Sequence, residues 1–168
     1  NVLYVTNKLG TKGRVLLDPN TLSKDGTVAL DGLSISPDGQ WIAYGLAESG
    51  SDWNVWRVRN VASGQDLPDK LEWVKFSSAS WTKDSLGFLY SRYPAPTPGQ
   101  DLKAQNQGHT VYYHRIKTGQ ADDKVVYGFA DHPLWCVSGS VSEDGRWLII
   151  SGEPNDNDNT VILVHDIT

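Results

Sequence analysis

The chain has 168 residues and a formal net charge of −5, a mild acidic excess that gives no indication of nucleic acid or an anionic membrane surface as a partner. Its length favours about one domain with a real core, and its single cysteine, Cys136, excludes an internal disulfide. That cysteine usage and the absence of an apolar run near the roughly 18 residues of a bilayer span predict a cytoplasmic protein, with a periplasmic or secreted location left open.

The N-terminal residues predict the second half of a β-sheet. Residues 2–5 and 14–17 are β-prone runs joined by a Gly- and Lys-containing turn, which is typical of a hairpin. Residues 27–30 are either one more strand or a connection. Because the chain has no methionine and starts in an apparent strand, we expect it to be an excerpt from a longer protein.

Two further segments each contain four β-prone runs, and a third contains three. The predicted strands of these units are 33–36, 41–47, 54–61 and 71–76; 79–81, 87–92, 111–116 and 124–129; and 139–142, 147–151 and 161–165. Pro68 interrupts the approach to the fourth strand of the first unit, which predicts an edge strand or a loop there. Residues 93–109 form a long polar stretch, either a gating or interdomain element or a solvated insertion.

One turn motif recurs and divides the chain. Ser36-Pro37-Asp38-Gly39 lies between the first two strands of its unit, and residues 142–145 repeat the design, with residues 82–85 as a looser copy. Four strands in 40–50 residues is typical of a propeller blade. We therefore predict an all-β partial propeller: a half blade at 1–31, blades at 32–78 and 79–137, and an incomplete blade at 138–168.

Several runs, in one order along the chain, resemble the propeller domain of the prolyl oligopeptidase family. The most specific are Glu48-Ser49-Gly50-Ser51-Asp52-Trp53 and Val74-Lys75-Phe76-Ser77. Residues 16–20, 79–84, 112–114 and 142–146 extend the resemblance over nearly the whole chain.

This resemblance implies a serine peptidase that cleaves short peptides after proline. Such enzymes join an α/β-hydrolase catalytic domain to a seven-bladed propeller that limits access to small peptides, and no cofactor is implied. This chain would be roughly the first half of that propeller. It contains no Gly-x-Ser-x-Gly nucleophile elbow, so we expect no catalytic residue and no peptidase activity in the segment alone.

The resemblance also implies roles for two residues. The family places the Phe of the Val-Lys-Phe-Ser run, here Phe76, in the substrate pocket, and a large thioether residue after the Trp that precedes the next blade, a place held here by Cys136. Without the resemblance, Phe76 would be assigned to the core. The family can place an Arg and a Cys after the second strand of the third unit, but this sequence has Glu153-Pro154-Asn155-Asp156 there, so no role is carried over.

Other reactive side chains give weaker indications. No histidine lies beside Cys136 in a nucleophile motif, and the four histidines lack metal-ligand spacing, so we predict no metal site. The run Asp156-Asn157-Asp158-Asn159 fails the EF-hand pattern and favours a polar turn.

Two alternatives stay open. In the first, the chain is a stand-alone propeller-type binding module. In the second, it belongs to a dipeptidyl-peptidase or acylaminoacyl-peptidase type of hydrolase.

We expect the isolated segment to be marginally stable or prone to aggregate, because its blade faces and edge strands lack partners.

Overall fold

The computed structural model describes residues 2–23, 26–48, 50–97, 106–154 and 159–168, with only the backbone of Glu48. These residues form four antiparallel sheets and two short 3-10 helices, and no α-helix occurs among them. Accordingly, no helix in this part of the chain is long and apolar enough to cross a membrane. The prediction of an all-β partial propeller is confirmed.

The strands follow one another in chain order within each sheet. The two-stranded sheet contains β1 (Leu3–Val5) and β2 (Arg14–Leu17). The first four-stranded sheet contains β3 (Val28–Ile35), β4 (Trp41–Glu48), β5 (Asn54–Asn60) and β6 (Asp66–Val74). The second contains β7 (Ser80–Trp81), β8 (Gly87–Arg92), β9 (Thr110–Arg115) and β10 (Lys124–Tyr127). The three-stranded sheet contains β11 (Cys136–Val141), β12 (Trp147–Glu153) and β13 (Val161–Asp166).

The recurring turn owes its shape to one set of side-chain hydrogen bonds. In the first copy the Ser36 hydroxyl donates to Asp38 Oδ1 over 2.6 Å and accepts from the Trp41 amide over 3.0 Å. Asp38 Oδ1 also accepts from the Gln40 amide over 3.0 Å. Thr82 and Asp84 repeat the hydroxyl–carboxylate bond, as do Ser142 and Asp144. The sequence motif therefore sets the geometry of all three hairpins.

The three turns lie side by side at one end of the sheets, which we call the turn end. The Asp38 amide donates to Ser85 Oγ over 3.1 Å, and Lys83 Nζ donates to the Glu143 carbonyl over 3.0 Å. Because the strands are antiparallel, residues that follow β6 and β8 or precede β11 lie at the opposite end, the loop end. The amide of Tyr93 there donates to the Trp73 carbonyl over 3.0 Å.

Apolar side chains fill each of the three spaces between neighbouring sheets. Alternation along the strands supplies both faces: Ile42 and Tyr44 pack towards β2, whereas Ala43 packs towards the second four-stranded sheet. Leu89 likewise faces the three-stranded sheet, while Phe88 and Tyr90 face the other way. The sheets are thus stacked face to face like propeller blades.

Three strands, β3, β6 and β11, differ clearly from those expected. β3 crosses the predicted boundary between residues 31 and 32, because a bulge at Gly32, with φ of +108°, lets residues 28–30 and 33–35 pair as one strand with β4. β11 likewise begins before the predicted boundary between residues 137 and 138. β6 runs through Pro68, which is tolerated because β6 is the outermost strand of its sheet and its register with β5 is interrupted between Asp66 and Lys70. The division into blades stays a prediction at those boundaries.

A buried charged network, which no sequence pattern indicated, joins the two four-stranded sheets. His114 on β9 lies 2.9 Å from Asp69 on β6 and 2.7 Å from Asp123, and all three side chains are fully buried. Burial of the ring opposes its charge, but hydrogen bonds to Asp123 and Asp69 outweigh burial and raise the pKa of His114 to about 9. The imidazolium therefore bridges two carboxylates inside the protein.

Two predicted features lie partly outside the described residues. Within the 93–109 stretch, residues 98–105 are not described, and the acidic run at 156–159 is described only at Asn159.

Candidate functional site

A pocket of about 440 Å³ opens at the loop end between the connection from β6 to β7 and the three-stranded sheet. Its described lining residues are Phe76, Cys136, Val137, Ser138 and Glu153. Phe76 follows β6, whereas Cys136 starts β11 and lies directly opposite Glu153, the last residue of β12. The structure thus brings together the two residues singled out from the sequence, and adds a carboxylate to them.

An unusual backbone conformation presents Phe76 to the pocket. Its φ is +53°, in the left-handed region that costs a residue with a Cβ about 1 kcal/mol or more, and Trp73 has the same feature at +62°. The Phe76 ring remains 59% exposed although it is large and apolar. A strained backbone that keeps an aromatic ring in solvent at a concave surface is typical of a binding site.

A lysine that is paired with an aspartate lies beside the Phe76 ring. Lys75 Nζ lies 5.1 Å from the centroid of the Phe76 ring and 5.2 Å from that of Trp53. It also pairs with Asp52 over 3.2 Å. The charge of Lys75 is therefore balanced by the Asp52 carboxylate and does not act alone on the pocket.

Two stacked rings support the other side of the pocket. Tyr93 and His109 stack with their centroids 4.3 Å apart, and Tyr93 Oη lies 3.7 Å from Cys136 Sγ. His109 Nδ1 accepts a hydrogen bond from the Val137 amide over 3.0 Å. The two ends of the long 93–109 stretch thus fix the start of β11, where the lining residues Cys136 and Val137 lie.

The electrostatics of His109 suit this positioning task. Burial lowers the pKa of His109 to about 4, although the neighbouring Lys75 backbone acts in the opposite direction. At neutral pH the ring is therefore uncharged, and its Nδ1 lone pair is free to accept from Val137. Burial, followed by the contact with Cys136, likewise raises the pKa of Tyr93, which keeps its hydroxyl protonated.

Besides Val137 and Ser138, which adjoin Cys136, three residues of this site were missed from the sequence: Tyr93, His109 and Glu153. Tyr93 and His109 flank a polar stretch without periodicity, and only their meeting in the fold gives them a role. Glu153 was set aside because the resemblance assigned nothing to it, although its position at the end of a predicted strand was a usable signal.

The site has the chemistry of a binding surface. Its lining combines an aromatic ring, a thiol, an aliphatic side chain, a hydroxyl and a carboxylate. Among the described residues, no three His, Cys, Asp or Glu side chains are grouped so that they could hold a metal ion. An apolar pocket with a few polar groups suits part of a small ligand or a peptide.

Comparison with known proteins identifies the family. The family model described as "Prolyl oligopeptidase, N-terminal beta-propeller domain" matches residues 1–165. The chain belongs to this family. Prolyl oligopeptidase A of Amanita bisporigera is 39% identical over 171 residues, covering 92% of this chain and 22% of the relative. A prolyl endopeptidase of Elizabethkingia miricola is 37% identical over 163 residues, covering 97% of this chain and 23% of the relative.

Solved structures of the family agree with the fold. Prolyl oligopeptidase B of Galerina marginata, bound to a 25mer macrocyclization substrate, matches with a TM-score of 0.85 and 32% identity over 93% of this chain and 23% of that one. A structure from an analysis of two prolyl endopeptidases matches with a TM-score of 0.84 and 38% identity, covering 96% of this chain and 22% of that one. The chain therefore spans less than a quarter of the length of these relatives.

Proposed function

We propose that these 168 residues are a propeller segment of a serine peptidase that cleaves short peptides after proline. In this proposal the segment contributes a wall to the substrate pocket and restricts the size of the peptides that reach it. Catalysis itself belongs to an α/β-hydrolase domain of the same parent chain. The partners of the segment are then that domain and short proline-containing peptides.

The observation that carries the proposal is the pocket shared by Phe76 and Cys136. These two residues, sixty positions apart in the sequence, line one concave surface of about 440 Å³. Family membership over residues 1–165 supports the same conclusion. A relative, prolyl oligopeptidase B of Galerina marginata, has been solved with a bound 25mer substrate. This supports the proposal that the ligand of this pocket is a peptide.

The stacking of the sheets supports a restriction of substrate size. Blades packed face to face leave only the strand ends and the space around the propeller axis for access to a neighbouring domain. Extended peptides fit such a path, whereas folded domains do not.

Product mapping with the full-length protein tests the proposal. A ten-residue peptide with one internal proline is incubated with that protein, and the products are identified by mass spectrometry. Internal cleavage after proline is expected, and the same ten residues placed in a surface loop of a stable folded protein are expected to stay intact. Release of N-terminal dipeptides or of an acylated N-terminal residue would instead support the other hydrolase types.

The stand-alone alternative is tested by the mass of the native protein. A native chain close to 18.5 kDa that binds peptides without cleaving them would overturn the peptidase proposal in favour of a binding module.

A further inference from the structure

Glu153 gives the pocket at the loop end a negative charge. It is exposed at the end of β12 and is the only acidic side chain among the described lining residues, which include no lysine or arginine. Lys75, whose Nζ lies 5.1 Å from the centroid of the Phe76 ring, pairs with Asp52. Within the described part of the chain, a ligand in this pocket therefore meets a carboxylate that no cation neutralises.

The rest of the lining is suited to an aliphatic chain. The exposed Phe76 and the side chains of Cys136 and Val137 offer apolar contacts in the same pocket as the Glu153 carboxylate. Lysine and arginine combine an aliphatic stem with a cationic head, so they match both halves of this surface. An acidic peptide side chain would meet repulsion at the same place.

We propose that Glu153 makes this pocket selective for a basic peptide side chain, whose cationic head pairs with the Glu153 carboxylate while its stem packs against Phe76. This inference rests on the proposed function, because it assigns a preference to the same peptide site. Glu153 acts as a specificity-determining residue and takes no part in bond cleavage.

The size of the preference follows from the exposure of Glu153. Exposed ion pairs contribute little binding free energy. The corresponding preference for lysine over norleucine is on the order of three- to fivefold in kcat/KM. Screening by salt reduces such a preference, so it falls towards unity at about 1 M ionic strength, where the Debye length is roughly 3 Å.

The test uses the full-length protein and matched peptides. Each peptide carries one internal proline, with lysine, norleucine or glutamate at each of the three positions on its N-terminal side in turn. Norleucine keeps the aliphatic stem without the charge, so the ratio of kcat/KM for lysine over norleucine isolates the charged contact. At one position we expect a ratio of three to five for the native protein, about one for Glu153→Gln, and below one for Glu153→Lys.

A matched control lies in the same sheet. Glu143 is in the β11–β12 turn, roughly 20 Å away along β12 at about 3.3 Å per residue. Its backbone carbonyl, not its side chain, accepts the bond from Lys83, so Glu143→Gln removes the same charge without breaking that contact. This variant is expected to keep the native ratio.

The outcomes separate the two proposals. If the full-length protein cleaves none of the proline peptides, the proposed function fails and this inference fails with it. If it cleaves them with a lysine-to-norleucine ratio that Glu153→Gln leaves unchanged, or that Glu143→Gln changes equally, the inference is overturned while the peptidase proposal stands.

Discussion

The buried His114 network predicts that the two four-stranded sheets separate more easily in mildly alkaline solution. His114 has a pKa of about 9 in the folded protein against an ordinary value of 6.5. Each pKa unit is worth about 1.4 kcal/mol, so the protonated ring contributes about 3 kcal/mol to folding. Because the folded pKa is the higher one, this contribution is fully present below about pH 6.5 and is lost as the pH rises through about 9.

Hydrogen exchange of the full-length protein measures this pH dependence of stability in β6 and β9, the strands that carry Asp69 and His114. The opening free energy of amides in β6 and β9, corrected for the intrinsic exchange rate, is expected to fall by about 3 kcal/mol between pH 6 and pH 9. His114→Gln removes the titrating group and leaves Asp69 and Asp123 buried without their cation. It should cost about 3–5 kcal/mol at pH 6, where the native ring is charged.

The exposed Lys124 on β10, in the same sheet as His114, provides the control. Lys124→Gln removes one cation from the surface and is expected to change stability by less than about 0.5 kcal/mol at either pH. Opening free energies of β6 and β9 that are equal at pH 6 and pH 9 in the native protein would refute the reasoning about His114.

Three further predictions concern the packing and the turns. Gly87→Ala should destabilise the protein by about 2 kcal/mol in thermal unfolding, since its Cβ would clash with the backbone carbonyl of His114 and lie 2.5 Å from Tyr113 Oη. Gly119→Ala, with no atom nearer than 3.7 Å, should be neutral, and equal losses would contradict this account. Because His109 has a folded pKa of about 4, below its ordinary 6.5, stability should fall by about 3 kcal/mol from pH 6.5 to pH 4, and an acid profile unaltered in His109→Asn would contradict the burial argument. Ser36→Ala removes two hydrogen bonds of the first turn and should cost about 1–2 kcal/mol in urea unfolding; an unchanged midpoint would show that the backbone alone makes the turn.

The sequence predicted the strands well because local patterns determine them. The Ser–Asp–Gly turn carries its own hydrogen bonds, alternation along β5 is visible within a few residues, and β8 is a short, mostly apolar run. The start of β3 and the course of β6 were harder to predict, since a bulge at Gly32 and an edge position for Pro68 depend on how the strand pairs with its neighbour.

The site was only partly predictable for a related reason. Phe76 and Cys136 came from the resemblance, because nothing local distinguishes them from core residues. Glu153 lines the pocket because it pairs with Cys136 in the register of β11 and β12. His109 contributes to the site because it stacks on Tyr93, at the other end of the long 93–109 stretch. Such contacts between distant parts of the chain leave no periodic signal. The same holds for Asp69 and His114, which meet only when the blades stack.

The kinetics of Phe76→Ala in the full-length protein test the central claim that this pocket contacts the substrate. Burying part of a phenylalanine against a ligand is worth about 1.5 kcal/mol, which corresponds to roughly a tenfold loss of kcat/KM when the ring is removed. We predict that loss for a peptide that extends several residues to the N-terminal side of its proline, and none for Leu86→Ala, which truncates an exposed apolar residue at the turn end. An unchanged kcat/KM in Phe76→Ala would contradict the account.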